Sequence, residues 1–155
     1  MPQGWCPGKV GGVTPKESIR SPASFIGVHL TVKDMPTAVE FYRRLGLDVD
    51  VGAGAGPHLE IDVGSGGHIA LSTIELTKSY DPGWRPTNLP PGSVLQFRLD
   101  SREAVDALYG DLTAAGYHGH LAPFDAFWGN RYAEVDDPDG NIVGFHSPTD
   151  PTKRS

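Results

Sequence analysis

A single cysteine, Cys6, stands in 155 residues. It cannot close an internal disulfide, so a disulfide scaffold is excluded and a reducing compartment is expected. Cys6 lies in a Gly/Pro-rich stretch with no base positioned beside it, which argues against a nucleophilic role. No apolar run approaches the ~18 residues needed to cross a bilayer. The opening MPQGWCPGKVGG has no apolar signal core, so the expected location is the cytoplasm. Clusters of Lys and Arg are also missing, and the net charge is −6. Nucleic-acid phosphates need a basic face, so that partner class is excluded. An acidic balance suits a cationic small molecule, but it is equally ordinary for a soluble protein.

What the chain does have is turn formers, with 20 Gly and 14 Pro. Such a composition fits strands with short connections better than a helical bundle. Residues 1–24 lack apolar periodicity and read as a tail, with Trp5 as its one possible anchor. FIGVHLTV, Phe25 to Val32, then alternates: Val28, Leu30 and Val32 point one way, and Gly27, His29 and Thr31 the other. Asp34 caps a predicted helix with Pro36 in its first turn and Gly46 at its end. Strands are predicted at Leu47–Val51, His58–Val63 and His68–Thr73. From Glu75 to Gly92 the pattern is lost, and four prolines suggest a connector with a functional or covering role.

The same grammar then returns. SVLQFRL alternates, with Val94, Gln96 and Arg98 on one face. Asp100 or Ser101 caps a second helix, and Asp100 has capping-box spacing to Glu103. Gly116 ends that helix, a strand follows near Tyr117–Leu121, and Arg131–Val135 and Asn141–His146 make a hairpin around Asp137-Pro138-Asp139-Gly140. Strand–helix–strand–strand–strand therefore occurs twice. One face of each sheet is apolar and takes a helix; the other carries small, polar and imidazole groups. Two such sheets side by side, polar faces inward, make a cup.

Three stretches carry a family resemblance: VHLTVKDMPTAVEFYRRLGL, SVLQFRLDS and FWGNRYAEVDDPDGN. Together they resemble the vicinal oxygen chelate superfamily, which includes glyoxalase I, extradiol dioxygenases, fosfomycin-resistance enzymes and bleomycin-resistance proteins. The resemblance runs from Phe25 to about Pro148. It implies an α+β fold of two βαβββ modules forming a cupped mixed sheet, and frequent dimers. On this reading residues 25–148 are one domain, with module one at 25–80, a connector at 81–92 and module two at 93–148. Residues 149–155 form a C-terminal tail.

Metal-dependent members of that superfamily hold a divalent ion in the cup with His, Gln or Glu from the first and last strands of each module. Counting from the motifs puts those positions at Gly27, Ala70, Val94 and Gly144. None of these side chains can bind a metal, so the usual centre is expected to be absent. Two residues further along three of the strands, on the same faces, are His29, Gln96 and His146. They either line a pocket or hold a displaced ion.

The expected ligand-binding set is His29, Gln96, Arg98, Phe127, Trp128, Tyr132 and His146, with Phe124 and Trp84 as further flat walls. Trp128 is either a ligand contact or part of a structural turn. Asp48, Asp50, Glu60 and Asp62 either favour a cationic ligand or face solvent. Arg131 either steers an anion or pairs with a carboxylate. DPDG lacks the other oxygen ligands of a calcium loop and reads as a turn. His118 and His120 alternate, but without a third partner at short spacing they read as surface residues.

The leading functional expectation is a metal-independent, dimeric binding protein that sequesters an antibiotic or planar metabolite, with no catalytic residue and no cofactor. One alternative is a metal-dependent lyase, isomerase or dioxygenase using a divalent metal at His29, Gln96 and His146. Another is a regulatory or scaffolding protein with a vestigial cup.

Overall fold

A computed structural model describes residues 23–50, 52–86 and 92–155. Cys6, Trp5 and nearly all of the expected tail lie outside the described residues, as do Val51 and residues 87–91 of the connector. Among the described residues the first module holds β1 (Gly27–Val32), α1 (Met35–Arg44), β2 (His58–Gly64), β3 (Gly67–Thr73) and α2 (Ile74–Tyr80). The second holds β4 (Val94–Arg98), α3 (Arg102–Ala114), β5 (Gly119–Asp125), β6 (Arg131–Asp136) and β7 (Ile142–His146). The sheet orders are β1-β3-β2 and β4-β7-β6-β5. In each sheet the first strand lies parallel to the last, and the remaining pairs are antiparallel. The expected α+β architecture of two repeated modules is what the chain adopts.

The helix ends follow from local chemistry. Asp34 accepts the Thr37 amide at 2.9 Å, satisfying a donor that has no partner inside α1. Gly46 follows the helix at φ 102°, a left-handed value that glycine takes without steric cost. Ser101, rather than Asp100, caps α3, its hydroxyl accepting the Ala104 amide at 3.1 Å.

Two expectations are corrected. Residues 47–50 form no ladder, so among the described residues the first sheet has three strands against four in the second. Val49 is nevertheless buried, and Leu47 packs on the core. The alternation there reports burial, which an extended segment achieves without strand pairing. The stretch after Thr73 is also not all connector. Thr73 accepts the Leu76 amide at 3.3 Å and starts α2, which is under two turns long and shows little periodicity. α2 covers part of the first sheet's polar face: Thr77 meets Thr31 at 3.0 Å, and the Tyr80 ring stacks on His29.

One core joins the modules. Val32, Phe41, Tyr42, Leu71, Val105, Leu112, Val135, Val143 and Phe145 are all fully buried within it. Truncating a buried Phe such as Phe41 to Ala typically costs about 3–5 kcal/mol. Phe41 meets Tyr117 edge-on at 4.9 Å. The Asp137–Gly140 turn clasps α1. Asp137, buried, accepts the Tyr42 hydroxyl at 2.9 Å, the Asn141 side-chain amide at 2.9 Å, and the backbone amides of Asp139 and Asn141 at 2.9 and 2.8 Å. Asp139 accepts the Lys33 amide at 2.8 Å. The most specific motif of the sequence is therefore a structural clasp.

Candidate functional site

Register decides which side chains share a face. In the first sheet His29 lies opposite Ala70, which lies opposite Glu60; Thr31, Ser72 and His58 form the next row. Period two then places Gly27, His29, Thr31, His58, Glu60, Asp62, His68, Ala70 and Ser72 on the polar face. Ser72 is buried, with its hydroxyl 2.8 Å from His29 Nε2 and 2.9 Å from His58 Nδ1. One hydroxyl has one hydrogen, so at least one of the two imidazoles must donate to it. Asp48, Asp50, Glu60 and Asp62 line a shallow groove of about 300 Å³. Glu60 and Asp62 thus belong to the polar face and still meet solvent.

In the second sheet the rows are Arg98, His146, Tyr132 and Phe124, then Gln96, Gly144, Glu134 and Leu121. Gln96, Arg98, Tyr132 and His146 are therefore brought to one face, as the sequence suggests. His29 stands on the other sheet, held by Ser72 and Tyr80. His146 donates Nδ1–H to the Ser147 carbonyl at 3.0 Å. Among the described residues neither His29 nor His146 belongs to a convergent group of three or more His, Cys, Asp or Glu side chains.

The Tyr132 hydroxyl leans across its row. It donates to Glu134 at 2.6 Å. Burial, aided by Glu134, pushes the phenol up to about 12, so it stays protonated at neutral pH. It also fills the space beside Gly144. A Cβ at position 144 would lie 2.6 Å from the Tyr132 oxygen and 3.1 Å from Val94 Cγ1. A Cβ at Gly27 would collide with the His68 carbonyl oxygen. Of the four positions counted from the motifs, at Gly27 the backbone thus leaves no room for a ligating side chain, and at Gly144 one would have to push the Tyr132 hydroxyl aside. Ala70 and Val94 have no donor atom at the other two.

An aromatic wall closes one end of the second face. Trp128 meets Tyr132 at 6.0 Å, Phe124 at 6.3 Å and Phe127 at 4.9 Å, all edge-on. Phe127 and Trp128 remain exposed, offering ring faces to a partner. A cleft of about 360 Å³ opens at β1, lined by His29, Thr31, Lys33, Trp84, Arg85 and Asn141 among others. That volume suits a drug-sized ligand. Of these, His29 and Trp84 belong to the ligand-contacting groups expected from the sequence, whereas Lys33, Arg85 and Asn141 do not. Only tertiary packing brings the connector beside the Asp137–Gly140 turn. Arg131 is paired with Asp106 at 2.8 Å and Asp125 at 3.1 Å, which leaves the ion-pair reading.

His118 and His120 acquire the third partner that the sequence did not show, Asp136 from the neighbouring strand.

Solved structures share this fold. A glyoxalase/bleomycin resistance protein/dioxygenase family enzyme from Burkholderia phytofirmans PsJN is 21% identical with a TM-score of 0.69, covering 81% of this chain and 98% of its own. A glyoxalase-related enzyme from Fulvimarina pelagi is 20% identical with a TM-score of 0.67, covering 80% and 87%. A lactoylglutathione lyase from Agrobacterium tumefaciens is 18% identical with a TM-score of 0.57, covering 83% and 96%. At these identities the likeness concerns the fold alone. No curated protein is significantly similar in sequence. Residues 24–145 match the Glyoxalase/Bleomycin resistance protein/Dioxygenase superfamily as a family. With the repeated modules, the parallel first-to-last strand pairing and that match over most of its length, the chain belongs to the Glyoxalase/Bleomycin resistance protein/Dioxygenase superfamily.

Proposed function

We propose that this protein binds a planar small molecule, an antibiotic or a metabolite, against its polar sheet faces without a metal ion and without altering it. The observation that carries the reading is the Tyr132 hydroxyl beside Gly144, where a metal-ligating side chain would have to stand. The collision at Gly27 and the inert Ala70 and Val94 support it. A glyoxalase-type reaction needs a Lewis acid at such positions and a base near it. The face instead offers hydrogen-bonding groups, Gln96, Tyr132 and His146, with Glu134 engaged by the Tyr132 hydroxyl, beside the exposed rings of Phe127 and Trp128. Arg98 adds a cationic edge to the second face, and the acidic groove on the first sheet favours a ligand with positive charge. The proposed working form is a homodimer, on the family resemblance alone, and the proposed location, on the lone cysteine, is the cytoplasm.

The test is a calorimetric and thermal-shift screen of planar cationic aromatic compounds and antibiotics, with and without a chelator. The expected result is binding that chelation leaves unchanged and that Trp128→Ala weakens roughly tenfold, the scale of one aromatic contact. Binding or turnover abolished by the chelator, and by His29→Ala or His146→Ala, would instead establish an enzyme with a displaced metal site.

A further inference from the structure

We propose that His118, His120 and Asp136 form a binding site for a divalent transition metal of the zinc class. This site is separate from the strand positions Gly27, Ala70, Val94 and Gly144. The pairing of β5 with β6 builds it. The Asp136 amide donates to the His118 carbonyl at 2.9 Å, which sets the two residues opposite each other. His120 follows two positions later, and the register shifts between Gly119 and Leu121. That irregularity keeps the His120 ring near Asp136 as well as Glu134. His118 Nδ1 stands 2.8 Å from one Asp136 oxygen, and His120 Nδ1 stands 3.2 Å from the other. The three donor atoms lie within 4.8 Å of one another. Ligands about 2.0–2.2 Å from a tetrahedral zinc are themselves about 3.3 Å apart, so small side-chain rotations close the site.

A second observation points the same way. Asp136 Oδ1 is buried yet has no hydrogen-bond partner among the described residues. His120 Nδ1 is near it but is not aligned to donate. A carboxylate flanked by two imidazoles, one of its oxygens desolvated and unpartnered, is a favourable place for a cation. Two nitrogens and one carboxylate select zinc, nickel or copper over magnesium or calcium, which prefer all-oxygen shells. Three protein ligands leave one position for water. Glu134 completes the arrangement. Its Oε2 lies 3.8 Å from His120 Nε2, and its Oε1 accepts from Tyr132. With His120 Nδ1 on the metal, the ring carries its hydrogen on Nε2, facing Glu134. This is the carboxylate–histidine–metal relay that orients ligating imidazoles.

The experiment uses the full, tag-free chain, stripped with chelator and titrated with ZnCl2 in a calorimeter. One zinc ion per chain is expected. The His118→Ala/His120→Ala variant should bind at least roughly 100-fold more weakly, beyond the 10–100-fold typical of losing an outer partner. Glu134→Gln should fall within that smaller range. His118 is largely exposed, with 74% of its side chain accessible, so its replacement spares the fold, and an unchanged melting curve without zinc checks this. Wild-type zinc affinity in the double variant would overturn the proposal. So would zinc binding lost instead in His29→Ala/His146→Ala, or magnesium competing equally with zinc.

Discussion

Tyr132 and Gly144 exclude each other's alternatives. The phenol fits because position 144 has no side chain, and a carboxylate at 144 would have to displace both the phenol and Val94. Overpacking of this kind costs about 1–3 kcal/mol. Gly144→Glu is therefore expected to lower stability by that amount in urea unfolding and to confer no metal binding. A stable Gly144→Glu protein that holds a divalent ion at position 144 would show that the site is a short mutational step from a metal centre. At this scale much was legible. Counting from the family's motifs identified Gly27, Ala70, Val94 and Gly144, and period two put Gln96 and His146 on the faces of Val94 and Gly144. Ser72 and Asp136 were not legible, because their roles depend on strand pairing. His118 and Asp136 are 18 residues apart in the chain and neighbours in the sheet.

The link between α1 and the β6–β7 turn depends on a buried phenol. Burial first, and the Asp137 carboxylate second, push Tyr42 far above the usual tyrosine range. In the unfolded chain tyrosine ionises near pH 10. Above that pH the unfolded state loses a proton that the folded state keeps, so stability falls as pH rises; below about pH 10 this contribution is present in full. The expected loss is about 1.4 kcal/mol per pH unit from this group. Urea midpoints measured from pH 8 to about 11.5 should decline less steeply in Tyr42→Phe than in the wild type. Identical slopes would mean that Tyr42 ionises normally. The elements themselves were readable where a chemical punctuation mark stood: Asp34 and Gly46 bound α1, and Gly116 follows α3 at φ 99°. They were misread where burial and hydrogen bonding part company. Residues 47–50 bury Val49 without a ladder, and α2 is too short to display a period.

For the whole molecule, the second sheet carries two adjoining polar groups, linked through Glu134. Gln96, Arg98, Tyr132 and His146 share a sheet face with an exposed aromatic wall. His118, His120 and Asp136 gather where β5 meets β6, on the outer edge of the same sheet. Any metal effect on this protein must therefore be assigned to a place before it is read as evidence of catalysis. Anomalous diffraction from crystals soaked in zinc makes that assignment. The account predicts no anomalous peak among Gly27, Ala70, Val94 and Gly144, nor between His29 and His146, with any zinc confined to His118, His120 and Asp136. A well-occupied peak among those four strand positions, or between His29 and His146, would contradict it.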